Sequence, residues 1–111
     1  MVRLISVLFV LALLGFSIPS SAQQARRVVL VIGNGQYANH PAMANPANDA
    51  RLVSDAFRRI GATVTLQTDA SRADFISRLR AFRSQADGAE FAAIYFSGHG
   101  LEVNGVNWVI P

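Results

Sequence analysis

The chain contains no cysteine and no lysine. Without cysteine there can be no disulfide scaffold, no zinc ribbon and no thiolate nucleophile within these 111 residues. Without lysine, every one of the ten basic residues is an arginine, set against seven acidic ones for a formal charge of +3. The sequence pI of about 10.6 overstates the basic character, because little titrates between neutrality and arginine. The arginines are scattered, apart from the Arg26-Arg27 and Arg58-Arg59 pairs. A nucleic-acid-binding chain shows a denser patch, so no nucleic-acid partner is expected.

Long apolar runs are equally scarce. The longest, Leu4 to Phe16, is broken only by Ser6 and Gly15 and falls short of the roughly 20 residues that span a bilayer. Arg3 precedes it, Ile18-Pro19 ends it, and Ser20-Ser21-Ala22 supplies small residues for a signal peptidase. Residues 1–22 therefore read as a secretory signal peptide, cleaved after Ala22, with a secreted or periplasmic product and no membrane attachment afterwards. Residues 23–111 form a single domain. An exported chain this small without disulfides is unusual, which points to a larger domain.

The rest of the sequence is patterned. Val28-Val29-Leu30-Val31-Ile32 is an unbroken β-branched run, as in a strand buried on both faces of a parallel sheet. Gln36 to Pro46 holds two prolines and no periodicity, so it reads as a loop. A helix is expected from Asn48-Asp49, with Ala50, Val53, Phe57 and Ile60 on its apolar face and Gly61 as its stop. Ala62 to Gln67 alternates as a strand, with Val64 and Leu66 on one face. Ser71 with Asp74 three residues on opens a second helix as a capping-box variant, and Phe75, Leu79, Phe82 and Ala86 mark its buried face. Phe91 to Phe96 is a third strand. Asn104-Gly105 suits a type I′ turn between Leu101–Val103 and Val106–Trp108, and a fourth strand is expected to start near Trp108. Strands alternating with helices give an α/β fold with a parallel sheet, whose sites lie beyond the carboxyl ends of the strands.

Two loops reach that edge. Gly33-Asn34-Gly35-Gln36-Tyr37-Ala38 has the form of a dinucleotide fingerprint, a remote alternative. Pro41 and Pro46 delay the helix that should meet the pyrophosphate, and the second strand ends without the acidic residue that would hold a ribose. Ser97-Gly98-His99-Gly100 is the stronger candidate. Flanking glycines leave the His99 imidazole open to act as a general base toward a nucleophile. His40, in the proline-containing loop, reads as a surface residue.

Val28 to Tyr37, Asn45-Pro46-Ala47-Asn48-Asp49-Ala50-Arg51 and Tyr95-Phe96-Ser97-Gly98-His99-Gly100-Leu101 together resemble the large-subunit (p20) region of the caspase-like cysteine peptidases. They are closest to the bacterial branch related to metacaspases. The resemblance implies a three-layer α/β/α caspase-like fold, incomplete at the C-terminus, acting on a protein or peptide substrate. No cofactor and no metal-ligating residue is expected, and the sequence is silent on calcium dependence. It implies His99 as the catalytic histidine and Gly100 as an oxyanion-hole donor. It places Asp49 and Ser97 in the pocket for the residue at the cleavage site, where an acidic Asp49 favours Arg or Lys. Asp49 also fits a first-turn acid stabilising the helix dipole, and Ser97 a strand-end turn residue. The sequence departs from the family at the nucleophile. The caspase signature places the His about 50 residues before the Cys, and the sequence closes at Pro111. The expectation is a peptidase front portion cut short before its cysteine segment and inactive alone. The alternative is a non-catalytic peptide-binding or regulatory module of the same fold. Oligomeric state is left open.

Overall fold

The computed structural model describes residues 25–111; residues 1–22, read above as a signal peptide, lie outside the described residues. The organising element is β1, Arg27–Gly33, in which Val28 to Gly33 are all buried. A strand points successive side chains to opposite faces, so five consecutive apolar residues require cover on both sides. The chain provides it. Val28, Leu30 and Ile32 join Ala70 and Phe82, with Phe75, Leu79 and Ala86 packed against them. Val29 and Val31 join Ala50 and Ala62, with Val53, Phe57, Val64 and Leu66 around them. The first group is closed by α2, Arg72–Ala86, and the second by α1, Pro46–Arg59. The result is a three-layer α/β/α fold.

β2, Thr63–Thr68, and β3, Phe91–Ser97, flank β1 in the order β2-β1-β3, both parallel to it. Leu30 stands level with Thr65 on one side and Ile94 on the other. All three strands therefore end at one edge, where Gly33, Thr68 and Ser97 are level. β4, Gly100–Val103, and β5, Val106–Val109, form a separate antiparallel hairpin. Its turn has the expected geometry: Asn104 and Gly105 both have positive φ, at 52° and 78°. The residues near Trp108 belong to this hairpin, with Leu101 opposite Trp108. The fourth sheet strand expected there is not present among the described residues.

The helices follow their sequence signals, with two corrections. α1 begins at Pro46, two residues before Asn48, because proline at the first helical position needs no N–H partner and already has a helical φ. Ile60 leaves the apolar face and is 57% exposed, because it caps the helix with a non-helical backbone. Ser54, four residues beyond Ala50, takes the buried place instead, and its hydroxyl has no hydrogen-bond partner among the described residues. Gly61 ends the helix at φ 83°, a conformation glycine adopts without steric cost. In α2 the capping box is complete: the Asp74 amide donates to Ser71 Oγ at 3.1 Å, and the Ser71 amide donates to Asp74 Oδ2 at 3.1 Å. The Ser71 hydroxyl donates to the same carboxylate at 2.7 Å. These bonds, the hydroxyl first and then the amide, hold the Asp74 carboxyl below its usual range.

A polar clasp fixes the loop that leaves β1. Asn34 is 1% exposed and closes a two-way bond with Ala70: its Nδ2 donates to the Ala70 carbonyl at 3.1 Å, and the Ala70 amide donates to its Oδ1 at 2.8 Å. The Asn34 amide donates to the Ser97 carbonyl at 2.9 Å. Beside it, Asp69 Oδ1 accepts from the amides of Gly35 and Gln36 at 2.9 and 3.1 Å. Asp69 holds a positive φ of 49° to do so, while its own amide donates to Gly33 O at 2.9 Å. The three strand ends are thus tied to one another by the two residues that follow β1 and β2.

Two outcomes are expected. Replacing Asn34 by Ala leaves both buried Ala70 main-chain groups without partners and should cost about 2–3 kcal/mol, measured by urea denaturation; a loss within error of zero would show that the clasp is not structural. Secondly, among the described residues β3 has β1 on one side only, and its Phe91 and Ile94 are 42% and 52% exposed. Such an edge invites pairing with other chains. The chain should self-associate with rising concentration in sedimentation velocity, and Ile94→Lys should reduce this. A concentration-independent monomer would refute it.

Candidate functional site

The loop after β1 and the loop after β3 meet at the common strand edge, and His99 stands where they meet. It lies two residues beyond β3 and is half-buried. Its main-chain N–H donates to the Tyr37 hydroxyl at 2.9 Å. Its imidazole lies against the Tyr37 ring, with centroids 4.7 Å apart and planes at 59°. The Nε2 atom is 2.7 Å from the Pro41 carbonyl oxygen. A carbonyl oxygen can only accept, so Nε2 carries the proton and Nδ1 of the neutral ring keeps its lone pair. The ring is therefore oriented as a base at Nδ1, its opposite nitrogen held by main chain.

Gly98 makes this approach possible. A Cβ on residue 98 would stand 2.5 Å from the Tyr37 hydroxyl and 2.8 Å from the Phe96 ring. Only glycine lets Tyr37 reach the His99 amide. Gly33 serves the other side of the edge: a Cβ there would overlap the Pro46 carbonyl and Ala50 Cβ, so its absence seats the first turn of α1 against the end of β1.

That turn carries Asp49, half-buried, with its amide donating to Asn45 O at 2.9 Å. It is the acidic residue of the helix's first turn, as the dipole reading requires. Arg51 bonds Asn48 Oδ1 at 3.3 Å rather than Asp49. Ser97 ends β3 level with Gly33, and its carbonyl is engaged by Asn34. Gly100 is exposed at the start of β4, and the hairpin turns back on the site through Ile110, whose amide donates to His99 O at 3.0 Å. An open groove of about 370 Å³ runs past Gly98 and Gly100 between Phe96, Leu101, Trp108 and Val109.

Three contributors went unread in the sequence. His40 is exposed, as a surface residue should be, yet its ring lies 5.9 Å from that of His99 and 6.0 Å from that of Tyr37. Asn34 and Asp69 hold the loop. Their only sequence signal was their position, each directly or nearly at the end of a parallel strand. The same clasp disposes of the dinucleotide alternative. The Gly35 and Gln36 amides that would meet a phosphate are bonded to the Asp69 carboxylate, and α1 begins only at Pro46. Among the described residues no cluster of three or more His, Cys, Asp or Glu could hold a metal ion, and no helix is long and apolar enough to cross a membrane.

The caspase domain matches residues 26–110. The Homo sapiens mucosa-associated lymphoid tissue lymphoma translocation protein 1 and its Mus musculus homolog are each 26% identical over 85 residues, covering 77% of this chain. The chain spans only 10% of the length of either relative. The matched segment runs from the residue before β1 through the hairpin and includes every member of the cluster around His99. The chain belongs to the caspase-domain family.

Proposed function

We propose that this domain is the histidine-bearing part of a cysteine-type endopeptidase, with its thiol supplied from outside these 111 residues. The observation that carries the reading is the orientation of His99: Nε2 bonded to the Pro41 carbonyl, leaving Nδ1 as the basic nitrogen at the strand edge. In this scheme Nδ1 takes the proton from the thiol, and the sulfur forms a bond to the scissile carbonyl carbon. The C–N bond then breaks as His99 returns the proton to the leaving amine. Water attacks the resulting thioester with His99 again as base, releasing the acid and regenerating the thiol. The Gly100 N–H is the donor to the oxyanion in both tetrahedral intermediates.

Asp49 and Ser97 line the pocket for the side chain at the cleavage site. A half-buried carboxylate on the first turn of α1 favours Arg or Lys there. This is the specificity of the metacaspase-related branch to which we assign the chain. Residues 1–22 direct the domain out of the cytosol, and its substrates are proteins or peptides met there.

Three measurements test the reading. The purified chain should not hydrolyse fluorogenic peptides ending in Arg or Lys; hydrolysis abolished by His99→Ala would show that no external thiol is needed. A labelled Arg peptide should bind the native chain more tightly than its norleucine counterpart, by about tenfold, and Asp49→Asn should remove the difference. Equal binding of the two peptides by the native chain would rule out the acidic pocket. Finally, the product exported from an expressing cell should begin at Gln23 by N-terminal sequencing, and retention of residues 1–22 would refute export by cleavage.

A further inference from the structure

Tyr37 donates and accepts no proton in the reaction above, yet it makes two of the contacts that hold His99. Its hydroxyl accepts from the His99 amide at 2.9 Å and so fixes where the main chain stands. Its ring packs at 4.7 Å against the imidazole and so limits rotation about the bond to the ring. That rotation matters, because turning the imidazole over exchanges Nδ1 and Nε2. The Pro41 carbonyl, which holds the ring at Nε2, comes from the same loop four residues later. The loop is closed on itself by the Met43 amide donating to Gly35 O at 2.8 Å. It is anchored by Asp69, whose carboxylate holds the two amides immediately before Tyr37.

We propose that Tyr37 is a positioning residue for His99, and that Asp69 acts on His99 through Tyr37 by fixing the loop. The consequence for catalysis rests on the reading of His99 as the acid–base group; the geometry itself does not. Gly98 is the complementary half of the device, since any side chain there would displace the Tyr37 hydroxyl. The two strand-edge loops are thereby one unit. The loop after β1 sets the direction of a side chain carried by the loop after β3.

The test uses the whole chain and needs no thiol, so it decides the role of Tyr37 even where no peptidase activity is found. Tyr37→Phe keeps the ring and removes the acceptor. Exchange of the His99 amide hydrogen should then rise about tenfold, with the circular dichroism of the native chain. Modification of His99 by diethyl pyrocarbonate, followed residue by residue by mass spectrometry, reads the imidazole. Tyr37→Ala should raise this rate about fivefold, Tyr37→Phe should restore it close to native, and Asp69→Ala should raise it without touching His99. An unchanged His99 amide exchange in Tyr37→Phe, or an unchanged modification rate in a Tyr37→Ala chain of native circular dichroism, would overturn the proposal for Tyr37. An Asp69→Ala chain with native modification of His99 would overturn the part assigned to Asp69.

Discussion

Everything in this domain depends on burying β1 from both sides. Val28 to Ile32 offer no polar face, so neither side of the strand can be left to water without a cost of about 25 cal/mol for each Å² of apolar surface exposed. Covering both faces requires a helix on each, and a helix between strands returns the chain to the same end of the sheet. The parallel order β2-β1-β3 follows. From that order it follows that the strands finish together, and that the loops after β1 and β3 are neighbours although 62 residues separate Tyr37 from His99. The proximity of the site's two halves is thus a consequence of apolar burial on both faces of β1.

Burial brings the loops together but does not orient an imidazole. That takes directional contacts, and most of those on His99 involve main chain: the Pro41 carbonyl to its ring, its own amide to Tyr37, and its carbonyl to the Ile110 amide. Main-chain groups have few ways to move once the loop is fixed, so they hold a tautomer more firmly than a long side chain would. The cost falls on sequence freedom. Gly98 must stay free of a Cβ, and Asp69 must hold a left-handed backbone for its carboxylate to reach two consecutive amides.

The sequence disclosed those parts whose cause is local. The Ser71–Asp74 capping box, the Asn104-Gly105 turn, the face of α2 and the double-sided burial of β1 each arise within a few residues, and each was legible. The placement of His99 at the strand edge was legible for the same reason, since it lies between glycines beyond an apolar strand. The start of α1 was misplaced because the dominant influence was Pro46 at its first position rather than the Asn-Asp pair that resembles a cap. The loss of Ile60 from the core arises from the helix ending one residue early. What could not be read was the clasp of Asn34 with Ala70 and the nearness of His40 to His99. These are contacts between loops, and no periodicity encodes which loop residue will face another across a strand edge.

The cysteine-free composition acquires a more definite meaning from this. Among the described residues, the contacts that orient the His99 ring come from within the loop between β1 and α1, and that loop is tied down by residues 33, 34 and 69. Within the described residues, the base of the proposed dyad is organised by the apolar core and the clasp. A segment presenting a thiol to this edge would meet a ring whose tautomer and direction are already set, and would have to supply only its own sulfur in the right place.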